Sequence, residues 1–182
     1  MDNQSADSSI VYLLRHAHSA WARPGQRDFD RPLDERGIED AHIVGAALSK
    51  LDRLPQIVLC STAVRCRQTC DIVLSELADP PPVDKIDALY SNDYRYYVDL
   101  LSRQTLSPIM LIGHNPMMED TARFLSATAK ERPGERLQKG FPTAGLAMLE
   151  FDGPLATIKQ GGRLTEFLSP KRLRKLAHRI DG

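Results

Sequence analysis

The chain has 182 residues, of which 42% are hydrophobic and 26% are charged. This length and balance are typical of a globular protein with a sizeable buried core. Lys plus Arg and Asp plus Glu number 24 each, so no overall positive field favours binding to nucleic acid or to an anionic membrane.

The N-terminal segment, residues 1–8, has no basic region and no apolar run, so it lacks the pattern of a secretory signal. No stretch of the sequence is long and apolar enough to span a bilayer. We therefore expect residues 1–8 to be disordered, residues 9–182 to form one domain, and the chain to be cytoplasmic.

The first predicted element is a strand over residues 10–14, whose five apolar residues indicate burial on both faces of a parallel sheet. Arg15 and His16 follow immediately. Placing a guanidinium and an imidazole at the rim of a dry core is costly unless a ligand needs them there. Ligands of open α/β sheets bind outside the carboxyl ends of strands, so this pair is a candidate anion site. A solvated strand end is the alternative for the pair taken alone.

A long loop, residues 20–33, comes next, and a loop of this length more often serves a function than merely connects two elements. The following helix is predicted over residues 34–51, with Asp34 as its N-cap. Its predicted apolar stripe consists of Ile38, Ala41, Val44, Leu48 and Leu51.

A second buried strand is predicted over residues 56–60, and Ser61 or Thr62 is suited to cap the helix that follows over residues 63–77. Arg65 falls in the first turn of that helix, where the helix dipole disfavours a cation. An anion bound at the same helix N-terminus would explain the charge. Taken alone, an Arg whose stem leans into solvent explains it equally well.

Three cysteines, Cys60, Cys66 and Cys70, lie within eleven residues of this region. Their odd number predicts no disulfide framework, and we interpret them as small buried thiols. No Cys is followed by five residues and then an Arg, so the pattern of a phosphatase with a thiolate nucleophile is missing.

The third buried strand is predicted over residues 107–113 and ends at His114. Asn115 is a favourable N-cap and Pro116 a favourable first helical residue, so a helix is predicted over residues 116–127. A single His at such a junction is usually structural. Here it is the second His at a strand end beside a helix N-terminus.

The remaining elements are predicted from periodicity and turn residues. They are an extended segment over 83–89, a helix over 92–101, a polar loop over 130–140, strands over 145–151 and 162–168, and a basic helix over 170–179.

Three buried strands therefore each end in polar residues, and in a parallel sheet those ends share one edge. The edge would collect Arg15, His16, Arg65 and His114 with two helix N-termini. Such a set suits a dianion such as a phosphoryl group, because arginine forks match phosphate oxygens. The sequence carries no carboxylate cluster for Mg²⁺ and no P-loop, so we predict no metal or other cofactor. The natural route is then covalent, through a histidine nucleophile.

These residues resemble the motifs of the histidine phosphatase superfamily, and among its members the small SixA-type phosphohistidine phosphatases. The matching segments are residues 13–19, with Ala17 in place of the superfamily's Gly, and residues 30–33, 35–37, 61–69 and 113–116. The resemblance implies a three-layer α/β/α sandwich with a mostly parallel central sheet, like that of phosphoglycerate mutase. It also implies that His16 is phosphorylated and that Arg15, Arg65 and His114 hold the transferring group. We assign Ser19, Ser61 and Asn115 to substrate binding.

Larger relatives carry an acidic proton donor after the third extended segment, and this chain has no Glu there. Its absence favours a P–N substrate, whose nitrogen leaving group needs less help than an alkoxide. Asp93 and Glu119 are the remaining candidates for an acid. We therefore expect phosphohistidine hydrolysis on a protein such as a phosphotransfer domain, with inorganic phosphate as a product, or hydrolysis of a small phosphorylated metabolite.

Two other classes of function remain open from the sequence. One is a module that binds phosphorylated side chains without turnover. The other is a metallohydrolase that uses His16, His18 and His114 as ligands. The roles of His18 and of the basic C-terminal helix are not assigned by the sequence.

Overall fold

The computed structural model describes residues 8–126, 137 and 139–180, the last four of these by their backbone only. Within these ranges lie the strands β1 (Ser8–Arg15), β2 (Ile57–Ser61), β3 (Val83–Ile86), β4 (Ile109–Gly113), β5 (Leu146–Asp152) and β6 (Arg163–Leu168). The helices are α1 (Glu35–Leu48), α2 (Val64–Ser75), α3 (Ala88–Ser91), α4 (Tyr94–Ser102), α5 (Met117–Ser126) and α6 (Pro170–Ile180). Two short 3₁₀ helices span Asp28–Asp30 and Leu155–Gln160.

Some expectations concern residues outside the described ranges. They include the disorder of residues 1–7 and most of the polar loop over 130–140. Ser8, which the sequence placed in the disordered segment, is the first residue of β1.

The six described strands form one sheet in the order β3-β2-β4-β1-β5-β6. The pairs β1–β4, β2–β4 and β2–β3 are parallel, whereas β5 runs antiparallel to both of its neighbours. Arg15 pairs with Gly113 in the register of β1 and β4. This register puts the residues that follow the two strands, His16 and His114, side by side at one edge of the sheet.

Helices cover both faces of the sheet, as the alternation of side chains along β1 shows. Val11 and Leu13 pack with α3, α4 and α5 in one core cluster, whereas Ile10, Tyr12 and Leu14 pack with α1, α2 and α6 in a second cluster. The predicted three-layer α/β/α sandwich with a mostly parallel sheet is therefore confirmed.

The start of α1 is fixed against the chain that leaves β1. Asp34 is the N-cap, as predicted, and its Oδ1 accepts a hydrogen bond of 2.8 Å from the backbone N–H of Gly37. A Cβ at position 37 would lie 1.9 Å from the carbonyl oxygen of His18, so only glycine fits there. The close approach holds the segment after His16 against α1.

The predicted N-caps of the next two candidate site helices were wrong. Ala63 is the N-cap of α2 and makes no capping bond, because the hydroxyls of Ser61 and Thr62 bond to other side chains. Asn115 does not cap α5, which begins at Met117. Its Nδ2 donates instead to the backbone carbonyl of Phe141.

Smaller differences follow from packing. The segment predicted as extended to residue 89 ends as β3 at Ile86, and Leu89 is buried in α3. Ile38, assigned to the apolar stripe of α1, is 43% exposed, because Ala41, Val44 and Leu48 form the buried face. The predicted basic helix is present as α6, which packs on α1 with Leu173 against the core. In the part of the chain that the structure describes, no helix combines the length and apolarity needed to cross a membrane.

Candidate active site

Four side chains predicted to converge do meet at the carboxyl edge of the sheet. His16 follows β1, His114 follows β4 and Arg65 lies in the first turn of α2; they are 8%, 4% and 6% exposed, respectively. Arg65 Nε lies 3.3 Å from His16 Nε2, and its Nη2 lies 3.3 Å from His114 Nδ1. The two imidazole centroids are 5.3 Å apart. One guanidinium therefore bridges both histidines.

The imidazole of His16 is oriented by its own backbone. Its Nδ1 lies 2.8 Å from the carbonyl oxygen of Ala17, so Nδ1 carries the proton and Nε2 carries the lone pair. The N–H of His16 donates to the carbonyl of Gly113, and its carbonyl accepts from Ala144. Nε2 of His16 is therefore unprotonated at the end of β1, as a nucleophilic nitrogen must be.

The imidazole of His114 is oriented by side chains that contact its two ring nitrogens. Its Nε2 lies 2.9 Å from the hydroxyl of the fully buried Ser61 and 3.5 Å from the thiol of Cys66. Because Arg65 can only donate, its contact requires a lone pair on Nδ1 of His114, so the proton sits on Nε2 and is donated to Ser61. Ser61 thus lies behind His114.

Both histidines are neutral at physiological pH. Burial lowers the pKa of His16 to about 3, and the positive charges of Arg65 and Arg15 add to this effect. Burial also lowers the pKa of His114 to about 4, again with help from Arg65. A neutral His16 keeps its nucleophilic lone pair available.

Arg15 is held through a bond to the loop before β5, and its buried Nε is unpartnered among the described residues. Its Nη1 donates to the carbonyl of Phe141 at 2.7 Å, whereas its buried Nε has no hydrogen-bond partner in the described structure. The same carbonyl accepts from Asn115, whose amide also contacts Glu119. Asn115 therefore supports the loop that holds Arg15, and the buried Nε of Arg15 is a donor left without an acceptor.

Asp28 is a site residue that the sequence did not single out. Its carbonyl and its Oδ2 accept hydrogen bonds from Arg65 at 2.7 and 3.0 Å, and Tyr90 donates to the same Oδ2. Partial burial raises the pKa of Asp28, but bonds from Arg31 and the charge of Arg65 outweigh it and lower the pKa to about 2. The loop length predicted a functional segment without indicating which residue acts.

The cavity at this strand end, here called the central pocket, has a volume of about 270 Å³. It is lined by Arg15, His16, His18, Ser19, Trp21, Arg31, Arg65 and Thr143. None of these side chains is a carboxylic acid. Of the residues assigned to substrate binding, Ser19 lines the pocket, whereas Ser61 contacts His114, Asn115 contacts the Phe141 carbonyl, and neither is among the described lining residues.

The two candidate acids lie elsewhere. Asp93 caps α4 by accepting from the N–H groups of Arg95 and Tyr96. Glu119 is paired with Arg123 at 2.7 Å, and neither acid lines the central pocket. His18, which does line it, lies with its Nδ1 2.5 Å from Asp34 Oδ2. Among the residues that the structure describes, no three His, Cys, Asp or Glu side chains are grouped to hold a metal ion.

Comparison with known proteins decides the family. The model of the histidine phosphatase superfamily (branch 1) matches residues 11–100. A solved structure from Agrobacterium tumefaciens, a SixA whose phosphohistidine phosphatase activity is itself inferred, is 38% identical with a TM-score of 0.78. The alignment covers 89% of this chain and 98% of that one. The chain belongs to the histidine phosphatase superfamily.

Two curated relatives extend the match without adding an activity. An uncharacterized protein of Mycobacterium tuberculosis is 32% identical over 154 residues, which are 81% of this chain and 93% of that protein. An uncharacterized chloroplastic protein of Arabidopsis thaliana is 34% identical over 133 residues, and the chain spans 61% of its length. Membership of the superfamily and the likeness to SixA support phosphatase activity for this chain.

Proposed function

We propose that this histidine phosphatase hydrolyses the P–N bond of phosphohistidine on a protein, through a covalent phosphoryl group on His16. One observation carries the proposal. In the central pocket His16 Nε2 is unprotonated and faces Arg65, Arg15 lines the same cavity, and no carboxylic acid is among the described lining residues. The described lining thus supplies a nucleophile and cationic donors, and none of its side chains is an acid that could protonate an alkoxide.

In the first step the phosphoryl oxygens bind to donors already in place. Arg15 Nε is unpartnered, and Arg65 can exchange its bonds to the two histidines for bonds to the phosphoryl oxygens. The lone pair of His16 Nε2 then attacks phosphorus as the P–N bond breaks. The electron pair of the broken P–N bond leaves on the substrate imidazole. Positioning and charge stabilisation suffice for phosphoryl transfer of this kind.

The phosphorylated His16 carries a positive ring, which the Ala17 carbonyl stabilises through the Nδ1–H bond of 2.8 Å. In the second step water attacks phosphorus and the P–Nε2 bond breaks. The electron pair of the broken P–Nε2 bond returns to His16, and inorganic phosphate leaves. The enzyme is restored without any change of redox state.

The substrate class follows from the leaving group. A substrate imidazole that carries a proton on its other nitrogen departs as a neutral ring, so it needs no acid. A serine alkoxide needs a proton, and a general acid typically contributes about 10²–10⁴ in rate. The likeness to SixA supports the same choice. The partner that we propose is a phosphotransfer domain bearing phosphohistidine, with a small phosphorylated metabolite as the second candidate.

Three substrates test the proposal: one peptide carrying phosphohistidine, the same peptide carrying phosphoserine, and p-nitrophenyl phosphate, whose phenolate leaves without a proton. We expect kcat/KM for phosphohistidine to exceed that for phosphoserine by about 10² or more. We expect p-nitrophenyl phosphate to be hydrolysed. A phosphoserine rate equal to the phosphohistidine rate would contradict the proposal. Tight binding of phosphohistidine without any turnover would point instead to a binding module.

A further inference from the structure

A second cavity, here called the basic pocket, adjoins the central pocket. It has a volume of about 510 Å³ and lies between α1, the start of α6 and the loop before β5. Its lining residues are Arg36, Asp40, Lys139, Gly140, Pro142, Thr143, Phe167, Ser169, Pro170, Lys171, Arg172 and Arg174. Thr143 lines both pockets. The carbonyl of Phe141, in the same loop, holds Arg15.

Five of these lining side chains are cationic and one is acidic. The acid, Asp40, is almost fully buried and already paired, with Arg174 at 2.7 Å and Arg36 at 3.7 Å. Lys139 and Lys171 are exposed and have no ion-pair partner in the described part of the chain. Arg174 also pairs with Glu39 at 3.4 Å and Arg172 with Glu166 at 4.0 Å. Among the described lining residues, the positive charge left unpaired beside the central pocket is therefore that of Lys139 and Lys171.

The start of α6 adds to this charge. Lys171 and Arg172 lie in the first turn of this helix, and no acidic residue lies there. The positive end of the helix dipole disfavours cations, so these side chains are held in an unfavourable field. Ser169 Oγ already accepts from the N–H of Arg172 at 3.4 Å, so a bound anion would offset the positive end of the helix and the charges of the two lysines rather than supply a missing cap. The arrangement repeats, with more cations, the relationship between Arg65 and the start of α2.

We infer that the basic pocket binds a second anionic group of the substrate whose phosphoryl group occupies the central pocket. This inference rests on the proposed function and deepens it. It states that the substrate carries a carboxylate or phosphate close to its phosphohistidine. We favour an acidic side chain of the phosphorylated protein as the source of this second anionic group. A protein surface can contact both pockets at once, because the two pockets share Thr143 in their linings.

Two phosphohistidine peptides of equal length test this inference, one with Glu and the other with Gln at the positions flanking the phosphohistidine. We expect the native enzyme to hydrolyse the Glu peptide with a kcat/KM about tenfold higher, and the preference to shrink in high salt. The Lys139→Ala/Lys171→Ala variant should lose the preference. The matched Lys50→Ala/Lys85→Ala variant should keep it, because both lysines are exposed and line neither pocket.

Two further experiments distinguish a failure of this inference from a failure of the proposed function. Phosphoramidate has a P–N bond and no second anion, so its hydrolysis by the native enzyme tests the proposed function alone. If phosphoramidate is hydrolysed and the Glu and Gln peptides are equivalent, inhibition by propane-1,3-diyl bisphosphate is compared with inhibition by propyl phosphate. Stronger inhibition by the bisphosphate that Lys139→Ala/Lys171→Ala abolishes would assign the pocket to a second phosphate. Equal inhibition would overturn the inference and leave the proposed function standing.

Discussion

Arg65 Nε lies 3.3 Å from His16 Nε2, so in the free protein a guanidinium faces the lone pair of the proposed nucleophile. The contact holds Nε2 unprotonated and aims it into the central pocket. A phosphoryl group must take over that donor before His16 can attack. Binding and activation of the nucleophile are therefore the same event, and the placement of Arg65 controls both.

The placement of Arg65 depends on Asp28, whose Oδ2 accepts from Nη2 at 3.0 Å. We expect Asp28→Asn to lower kcat/KM for phosphohistidine by about tenfold, because it removes a charge-assisted bond that is partly screened by solvent. Steady-state kinetics with a phosphohistidine peptide measures the effect.

Asp30→Asn is the matched control for this prediction. Asp30 lies in the same 3₁₀ helix, but its carboxylate pairs with the exposed Arg27. We expect the control to retain native kcat/KM. Equal losses in Asp28→Asn and Asp30→Asn would mean that the loop as a whole matters and that the bond to Arg65 does not.

Ser61 and Arg65 together fix the tautomer of His114: Ser61 accepts the Nε2 proton at 2.9 Å and Arg65 lies 3.3 Å from Nδ1. In Ser61→Ala the buried N–H loses this acceptor, so we expect kcat/KM to fall by about tenfold, the cost of one unsatisfied buried group. The ¹⁵N shifts of the His114 ring should also show a mixture of tautomers. Thr62→Ala, whose hydroxyl bonds to the exposed Asp87, should change neither measurement.

The histidines also predict how stability depends on pH. Their folded pKa values, about 3 for His16 and about 4 for His114, lie below the ordinary value of 6.5. As the pH falls below 6.5, the unfolded chain takes up these protons first. Each histidine therefore lowers the free energy of unfolding by up to about 1.4 kcal/mol per pH unit between pH 6.5 and its folded pKa.

Urea unfolding of the native chain at pH 7.0, 6.0 and 5.0 measures that slope. We expect His16→Gln to show a smaller slope, because the group that takes up a proton on unfolding is gone. A His16→Gln slope as steep as the native one would show that His16 titrates normally in the folded protein.

The chain pattern predicted the convergence of Arg15, His16, Arg65 and His114 because each lies at or shortly after the end of a buried strand, and strand direction fixes where those ends meet. The three-layer sandwich was implied by the resemblance to the histidine phosphatase superfamily, and the buried apolar strands indicated its parallel sheet. The N-caps at Ser61 and Asn115 were wrong for one reason. A capping residue bonds to its own helix by default, whereas these side chains found partners distant in sequence, in His114 and Phe141.

Asp28 was missed because its role depends on a loop that folds back over the strand end. A charged residue in a loop that also contains Arg27, Asp30 and Arg31 carries no periodic signal. The geometry shows that Arg31 pairs with Asp28 at 2.8 Å and with Ser19 at 3.0 Å, which ties the loop to the start of the central pocket. Such long-range pairing between charges cannot be read from spacing alone.

The most direct test of the account is to trap the phosphoryl group on the enzyme. A ³²P-labelled phosphohistidine peptide, mixed with the native chain and quenched in alkali within milliseconds, should leave an acid-labile and alkali-stable label on the peptide that contains His16. The label should persist in His42→Ala, an exposed histidine paired with Glu76, and vanish in His16→Ala. Steady turnover without a label, or a label on His18 or His114, would contradict the central claim.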